Sequence, residues 1–448
     1  MINQIHHFSP HFPYMSRLLT AFAALILSLS SAFALRFEGT LRQPVAVTVT
    51  AQTGLDGLYV LQTTAGASMV YTASGAASGV SVVTFGSQGA AYAVEADPSS
   101  ISRNGNEVTV STILPDTGYG FTENGRTVYY WITDYSRHPF NITAFGLTSD
   151  ADCDRTFFQA VGSAPRMTYY SITGRGFEID RGITLTYNTL TPDAENLRYI
   201  SAQTTVDLPY IDGIFSAPAP LCDTRFELSG DRFLREWGEE VTVGTSSIQA
   251  TAVQCMTSAT QSKTPADNEL KTDETLGGSA PIDITFTAAV TDAAIFTQWQ
   301  MARDEEFEDV IYRTSDLEFD YTFTEMGTTY VRFTAANASG DCTAYGDTYS
   351  VYIGESALRC PNAFSPGASE GVNDEWRVSY KSIISFECYI FNRWGEKMAE
   401  FHDPAQGWDG RYKGKIVPAG VYYYVIKARG SDGKDYNLSG DINILNYK

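Results

Sequence analysis

The feature that most constrains this chain is a succession of short runs of β-branched and aromatic residues separated by Gly-containing turns. Residues 44–50 read Pro-Val-Ala-Val-Thr-Val-Thr, an alternation that suits a half-buried strand. Asn-Gly pairs at 104–105 and 124–125 are typical of two-residue hairpin turns. No window shows a sustained apolar stripe at helical spacing longer than a few turns. The sequence therefore predicts an all-β protein.

A chain of 448 residues is too long for one ordinary domain and predicts several units of roughly 100 residues. We assign residues 35–140 and 141–255 to immunoglobulin-like β-sandwiches, 281–356 to a third sandwich and 357–448 to a terminal β-sandwich domain. Residues 256–280 contain almost no large apolar side chain. Because such a tract cannot bury surface to offset its chain entropy, we expect a flexible linker or loop there.

A weak internal repeat supports this division. Gly125, Gly327 and Gly420 each stand directly before, or one or two residues before, a run of β-branched and aromatic residues. In β-sandwiches such a strand tends to be central, with its rings alternating into the core. We therefore expect these three strands to occupy similar positions in similar units.

The N-terminus carries an export signal rather than part of the fold. Arg17 precedes an apolar run at 18–29, and Ala32-Phe-Ala34 suits signal peptidase, so residues 1–34 are predicted to be a signal peptide. The apolar run is too short to span a bilayer, and no other stretch reaches about 20 apolar residues. We expect an exported chain with no transmembrane span of its own.

Charge is divided unevenly along the chain. Residues 35–356 hold 18 Lys and Arg against 41 Asp and Glu, whereas residues 357–448 hold 12 against 11. An acidic body followed by a nearly neutral terminal domain repels phosphate backbones and anionic lipid surfaces. Nucleic-acid binding is therefore not expected.

Six cysteines in an exported chain favour disulfides, although six cysteines allow 15 connectivities. No Cys-x-x-Cys pair is present, which removes the usual zinc and redox spacings. Proximity within domains favours the following pairs: Cys153 with Cys222, Cys255 with Cys342, and Cys360 with Cys388.

Catalytic groups are sparse. After residue 34 the chain keeps only His138 and His402, which are too far apart in sequence to suggest a shared site. No phosphate-binding Gly loop, Gly-x-Ser-x-Gly or His-Glu-x-x-His motif occurs. We expect no enzyme activity, no cofactor and no metal site.

Pairs of adjacent aromatic residues are candidates for stacking on sugars. Because side chains alternate along a strand, at least half of them should lie in a core. The candidates are Tyr129, Tyr130, Trp131, Tyr169 and Tyr170.

The terminal stretch carries several motifs in a fixed order. They read Cys-Pro-Asn-Ala-Phe-Ser-Pro at 360–366, Ile-Phe-Asn-Arg-Trp-Gly-Glu at 390–396, Gly-Trp-Asp-Gly at 407–410 and Pro-Ala-Gly-Val-Tyr-Tyr-Tyr-Val at 418–425. Together they resemble the gliding-motility-associated C-terminal domain, the type B sorting domain of the type IX secretion system of Bacteroidetes-type bacteria. The third sandwich ahead of it resembles a PKD-like domain. Residues 366–374 depart from the family's acidic Pro-Asn-Gly-Asp-Gly loop, which argues against a cation site.

The resemblance implies an exported, non-enzymatic protein of the type IX secretion and gliding-motility system. Its terminal domain would dock to an outer-membrane β-barrel of the SprF/PorP type, with the chain acting as an accessory subunit alongside other secretion components. A surface adhesin or glycan-binding cargo is the alternative. Either would lie at the outer membrane, on its periplasmic face or at the cell surface.

Within the terminal domain, the predicted partner contacts are Asn392, Arg393, Trp394, Gly395 and Trp408. The aromatic residues and Gly395 are interpreted first as core and turn residues and second as contacts. Arg393 is the stronger recognition candidate because a guanidinium makes directional, bidentate contacts. A short sandwich with free edges also allows a partner to bind by strand addition.

Overall fold

The computed structural model describes residues 35–148, 152–262, 264–367, 371 and 373–445. Strands dominate the described chain, and they form successive β domains, so the all-β prediction is confirmed. The predicted signal peptide lies outside the described residues.

The first sandwich packs a four-stranded sheet, in the order β1-β4-β8-β7, against a six-stranded sheet, in the order β2-β3-β10-β9-β5-β6. Its strands are β1 (Leu35–Glu38), β2 (Val45–Val47), β3 (Gly57–Leu61), β4 (Ser68–Thr72), β5 (Ser81–Phe85), β6 (Val94–Glu95), β7 (Ile101–Asn104), β8 (Glu107–Val110), β9 (Thr117–Glu123) and β10 (Arg126–Asp134). Short 3-10 helices lie at Ala51–Thr53, Ala77–Gly79, Ala90–Tyr92, Pro98–Ser100 and Tyr135–Arg137. Met69, Phe121 and Ile132 are buried between the two sheets.

The second sandwich is built from a three-stranded sheet (β11-β12-β17), a β13–β14 hairpin and a four-stranded sheet (β16-β15-β18-β19). Its strands are β11 (Ala144–Leu147), β12 (Arg155–Ala164), β13 (Thr168–Tyr170), β14 (Gly176–Glu178), β15 (Ile183–Asp193), β16 (Arg198–Leu208), β17 (Ile211–Pro218), β18 (Phe226–Gly230) and β19 (Val241–Gly244). A short helix α1 (Arg232–Glu236) begins where Asp231 accepts hydrogen bonds from the backbone N–H groups of Phe233 and Leu234.

Besides the core inside the first sandwich, a second hydrophobic core contains residues of both the first and the second sandwich. Along β10, Tyr130 and Ile132 face the interior of the first sandwich, whereas Trp131 points to the opposite face. There the Trp131 ring lies 5.6 Å from Tyr170 of the second sandwich. Ile172 adds backbone hydrogen bonds, donating to the Thr53 carbonyl at 2.9 Å and accepting from the Ala90 N–H at 2.7 Å. The pair therefore packs as one body.

The third sandwich packs a three-stranded sheet (β20-β22-β25) against a sheet ordered β21-β28-β26-β23-β24, with β27 paired to β26. Its strands are β20 (Cys255–Gln261), β21 (Gly277–Gly278), β22 (Ile282–Val290), β23 (Phe296–Ala302), β24 (Val310–Thr314), β25 (Glu318–Phe323), β26 (Gly327–Ala336), β27 (Thr343–Tyr345) and β28 (Tyr349–Ile353). Phe286, Trp299 and Phe333 are fully buried between the sheets.

The predicted linker at 256–280 is wrong over its first residues. Cys255–Gln261 is a strand paired antiparallel with β22 from Cys255↔Val290 to Gln261↔Ile284, so the third sandwich begins at residue 255 rather than 281. Small polar residues suit this strand because it lies at the edge of its sheet, where partner hydrogen bonds rather than apolar burial hold it.

The cysteine pairing predicted within domains is also wrong. The structure has a single disulfide among its described cysteines, Cys153–Cys342, which joins the second sandwich to the third across 189 residues. Sequence proximity predicted the wrong partners because Cys153 and Cys342 lie in loops at facing ends of two neighbouring sandwiches. The other four cysteines are free thiols: Cys222, Cys255, Cys360 and Cys388. Burial raises the pKa of Cys388 to about 12, which disfavours the reactive thiolate.

The terminal domain is centred on a five-stranded sheet, in the order β30-β39-β38-β33-β34, with three two-stranded ladders beside it. Its strands are β29 (Ala357–Arg359), β30 (Ala363–Phe364), β31 (Trp376–Arg377), β32 (Ser379–Lys381), β33 (Ile383–Phe391), β34 (Lys397–Phe401), β35 (Gly407–Trp408), β36 (Arg411–Tyr412), β37 (Lys415–Ile416), β38 (Gly420–Gly430) and β39 (Asp435–Ile444). Trp376, Ile390 and Ile426 are fully buried.

The three glycine-preceded aromatic strands occupy the expected places. β10 lies inside the six-stranded sheet of the first sandwich, β26 in the middle of its sheet and β38 in the middle of the terminal sheet. The prediction that these strands are central is confirmed.

Residues 264–280 form a segment that we call the strap, because it joins the third sandwich to the terminal domain. Leu270 N–H donates to the Tyr380 carbonyl at 2.8 Å, and Tyr380 N–H donates to the Asn268 carbonyl at 3.2 Å. The Asn268 side chain donates to the carbonyls of Val378 and Pro404 at 2.7 and 2.8 Å. The strap therefore adds one parallel bridge, Glu269↔Tyr380, beside the β29–β32 ladder, where the sequence predicts a flexible tract.

Candidate functional site

The hairpin loop between β33 and β34 contains four of the five predicted contact residues, Asn392, Arg393, Trp394 and Gly395. Asn392 organises the loop, since its Oδ1 accepts hydrogen bonds from the backbone N–H groups of Trp394 and Glu396, each at 3.0 Å. Gly395 closes the turn at φ +83°, a conformation that favours glycine. Asn392 and Gly395 thus shape the loop, while the two side chains between them point outward.

Arg393 and Trp394 form an exposed stack at the tip of this loop. The guanidinium carbon of Arg393 lies 4.2 Å from the centroid of the Trp394 ring, within the range of a cation–π contact. Trp394 is 75% exposed, so it belongs to the surface and not, as the sequence first indicated, to the core. An exposed, pre-ordered Trp–Arg pair combines the two side chains that most often dominate the energetics of protein interfaces.

A cleft of about 350 Å³ opens beside this stack. Met398, Tyr412 and the segment 417–422 form its other walls. The Glu396 carboxylate at the rim accepts hydrogen bonds from the Tyr412 hydroxyl at 2.9 Å and from Asn392 Nδ2 at 3.1 Å. The cleft therefore offers aromatic and aliphatic walls, with one guanidinium at its edge to bind a carbonyl or carboxylate oxygen.

Trp408, the fifth predicted contact, is only 3% exposed, so its first interpretation as a core residue is confirmed and its second, as a partner contact, is not. Its indole N–H donates to the Arg411 carbonyl at 3.0 Å, and its ring lies 5.2 Å from Tyr422. Because Tyr422 lines the cleft, Trp408 supports the cleft wall from the interior.

One edge of the terminal sheet lies next to the loop. β34 pairs only with β33 among the described strands, which leaves its other side without a ladder. On the solvent face of β38, which β33 separates from β34, three apolar side chains are exposed, Val421, Tyr423 and Val425. An extended partner segment added to β34 would therefore lie beside the Arg393–Trp394 stack.

The aromatic residues considered for sugar stacking do not form a surface. Tyr130, Trp131 and Tyr169 are buried, and Trp131 and Tyr170 pack against each other where the first two sandwiches meet. The hypothesis that these residues bind glycans is not supported, because adjacent strand residues serve two cores here. The sequence missed this second core, since it arises only when two domains meet.

The titratable groups of the described residues are dispersed. No group of three or more His, Cys, Asp or Glu side chains in the described ranges is arranged to hold a metal ion. His138 pairs with Asp116 at 3.1 Å, and His402 pairs with Glu400 at 3.2 Å, in different domains. No helix in this part of the chain has the length and hydropathy to cross a membrane.

Family comparisons assign two segments. Residues 358–444 match the CHU_C type IX secretion signal domain, and residues 147–245 match a fibronectin type III domain, Fn3_FA. A search of curated proteins found no match. The resemblance that the terminal motifs suggested is confirmed, and the Asn392–Gly395 loop lies inside the matched segment. The chain carries a type IX secretion signal domain and is exported through that system.

Solved structures of low sequence identity are similar to the chain. A tetra-tandem repeat from the extending region of a large adhesion protein is 15% identical and covers 86% of this chain and 97% of its own, with a TM-score of 0.21. The three N-terminal domains of the bacteriophage RB49 highly immunogenic outer capsid protein are 11% identical, covering 68% and 99%, with a TM-score of 0.23. The chicken CNTN1 FN1–FN3 domains are 10% identical, covering 67% and 98%, with a TM-score of 0.24.

Proposed function

We propose that the terminal domain docks to an outer-membrane β-barrel of the SprF/PorP type through the Arg393–Trp394 stack and the adjoining cleft. The observation that carries the proposal is an indole that is 75% exposed yet ordered by its neighbours, inside the matched signal domain. Removing so large an apolar surface from water on binding is strongly favourable, and little side-chain entropy is lost because the stack is already formed.

We also propose that the chain remains at the barrel as a non-enzymatic accessory subunit rather than as a passenger on a detachable tag. Support comes from the buried junction between the third sandwich and the terminal domain. There Ser382 N–H donates to Ser279 Oγ at 2.9 Å, and both serines are buried. Ser356 Oγ donates to Asp432 Oδ1 at 2.7 Å. A domain joined in this way positions the body of the chain relative to whatever the domain binds.

The docking proposal is tested by affinity capture from detergent-solubilised outer membranes, with the tagged full chain as bait. Trp394→Ala and Arg393→Ala are expected to reduce recovery of the barrel about tenfold or more, the effect of removing an interface hot spot. Tyr92→Ala, a change at a comparably exposed aromatic residue of the first sandwich, and Arg429→Ala, on an exposed strand position of the terminal domain, are the matched controls.

Deleting residues 357–448 should abolish recovery of the barrel. Because that deletion also removes the surface on which the strap packs, the point variants decide the question. Equal recovery of the barrel with Trp394→Ala, Arg393→Ala and the controls would reject the proposed surface.

A surface adhesin is the second candidate function, and one observation favours it. The third sandwich presents a groove between exposed Phe296 and Tyr345 that does not touch the terminal domain. In this candidate the protein lies on the outer face of the membrane. Protease and antibody added to intact cells would then reach the third sandwich, whereas full protection would place it on the periplasmic side.

A further inference from the structure

The groove of the third sandwich has a volume of about 510 Å³ and runs over the outer face of β23, β26 and β27. Cross-strand register places Tyr345 opposite Thr334, Thr334 opposite Gln298, and Arg332 opposite Gln300. Phe296 lies on β23 two residues before Gln298, on the same face of the sheet and opposite Ala336. Alternation along the strands therefore brings two aromatic walls and a polar floor together on one face.

The walls are exposed aromatic rings. Tyr345 is 71% exposed and Phe296 is 58% exposed, and Ile295 beside Phe296 is exposed as well. Tyr345 and Phe296 lie on strands separated by one intervening strand, a spacing of about 10 Å. A ring-shaped ligand fits between such walls, and polarised C–H bonds on its flat face would meet the electron-rich faces of the aromatic rings.

A connected hydrogen-bond network forms the floor. Arg332 donates through Nε and Nη2 to Gln300 Oε1 at 2.9 and 2.8 Å, and Gln300 Nε2 donates to Gln298 Oε1 at 2.7 Å. The Phe307 ring supports the guanidinium at 4.0 Å. These contacts fix the direction of the network and leave Gln298 Nε2 and Arg332 Nη1 without an acceptor in the described part of the chain. The floor is therefore a set of ordered donors.

The charge of the groove is opposite to that of the body. None of the residues that line it is acidic, although residues 35–356 carry 41 acidic residues against 18 basic ones. Arg332 forms no ion pair with any described carboxylate, so its charge is available to a ligand. A guanidinium with free N–H donors, held beside amide donors, matches a carboxylate surrounded by hydroxyl groups.

We propose that this groove binds a glycan that contains carboxylated sugars, such as uronic acids. A pyranose ring would stack on Tyr345 or Phe296, its carboxylate would accept from Arg332, and its hydroxyls would accept from Gln298. The groove lies on the face of the sheet, where an extended peptide could not add as a strand through backbone hydrogen bonds.

This inference deepens the adhesin candidate and is independent of barrel docking. It is tested with the purified full chain by isothermal titration, with hexagalacturonate as the acidic probe and maltohexaose as the neutral one. We expect the acidic hexamer to bind at least about tenfold more tightly, and added salt to reduce that difference. Failure of docking in the capture experiment would leave this measurement unaffected.

Tyr345→Ala and Phe296→Ala should each weaken binding of hexagalacturonate by roughly 3- to 10-fold, as expected for loss of one ring contact. Tyr345→Phe should retain the parental affinity, and Tyr352→Ala, on an exposed strand of the same sheet, is the matched control. Arg332→Gln should remove the preference for the acidic hexamer. Absence of binding by hexagalacturonate, equal affinity for maltohexaose, or an unchanged affinity in Tyr345→Ala would each overturn the proposal.

Discussion

Arg181 and Asp231 are both 0% exposed, and they form an ion pair inside the second sandwich. Arg181 Nη2 lies 2.6 Å and Nε 2.9 Å from Asp231 Oδ2, while Arg181 Nη1 donates to the Pro165 carbonyl. The other Asp231 oxygen caps helix α1. One carboxylate thus neutralises a buried charge and begins a helix.

Asp231→Ala should destabilise the chain by about 3–5 kcal/mol, because it leaves the Arg181 charge buried without a partner. The matched control is Glu107→Ala, which removes an exposed ion pair with Arg36 and should cost less than about 1 kcal/mol. Urea unfolding followed by tryptophan fluorescence measures both. Similar losses in the two variants would contradict the role assigned to Asp231.

The free energy of unfolding of the chain is expected to depend on pH through the carboxylate of Asp134. Burial opposes ionisation of its carboxylate, but hydrogen bonds from Ser136 and Thr64 outweigh that effect and lower its pKa. Because the pKa of Asp134 is lower in the folded state, its ionised carboxylate stabilises the fold at pH values above the unfolded-state pKa, about 3.9. This stabilisation is lost as the pH falls through the folded-state pKa.

Asp134→Asn should therefore be less stable than the parent at pH 7, and the difference between the two proteins should shrink below about pH 3.9. Urea unfolding at pH 7 and pH 3 measures it, with Asp180→Asn, at an exposed acidic residue of the second sandwich, as the control. A difference that stays constant between the two pH values would show that the charge of Asp134 does not matter.

At the scale of elements, Gly89 lies in a tight contact between the first two sandwiches. Its φ is +81°, and a Cβ atom there would lie 2.5 Å from Gly174 N and 2.6 Å from the Ile172 carbonyl oxygen. Only glycine allows the two backbones to approach this closely. The shared core therefore depends on a residue without a side chain.

Gly89→Ala should lower the melting temperature and speed proteolysis between the first two sandwiches, since it adds both backbone strain of about 1–2 kcal/mol and a steric clash. Gly86→Ala, three residues earlier and in open space, is the control. Differential scanning calorimetry and timed trypsin digestion measure the effects. Equal behaviour of the two variants would mean that the sandwiches are not packed together as described.

At the scale of the whole molecule, buried contacts connect successive domains. A shared core joins the first two sandwiches, the Cys153–Cys342 disulfide joins the second to the third, and the strap joins the third to the terminal domain. Two hydrogen bonds from the Asn268 side chain hold the strap to Val378 and Pro404. We expect the terminal domain to move together with the third sandwich.

Asn268→Ala should release the strap, because it leaves two carbonyl acceptors without their donor at a cost of about 1–3 kcal/mol. Faster protease cleavage within residues 264–276 and a larger maximum dimension in small-angle X-ray scattering are the expected results. Lys271→Ala changes an exposed residue of the same segment and should behave like the parent. No difference between these two variants would show that the strap does not hold the domains together.

Local sequence patterns determined the all-β class, the central strands after Gly125, Gly327 and Gly420, and the terminal secretion domain. Each of these depends on residues close together in sequence, where alternation and turn chemistry act directly. The match to residues 358–444 confirms the last of them.

Tertiary structure alone decided which cysteines pair, which surface the strap covers and which of two tryptophans faces solvent. Trp394 and Trp408 each adjoin a glycine, yet one is exposed and the other is buried beneath Tyr422. The groove between Phe296 and Tyr345 likewise unites residues from three strands. These outcomes depend on how the sheets stack and how the ends of the domains meet. The spacing of residues along the chain does not determine which distant residues come together in this way.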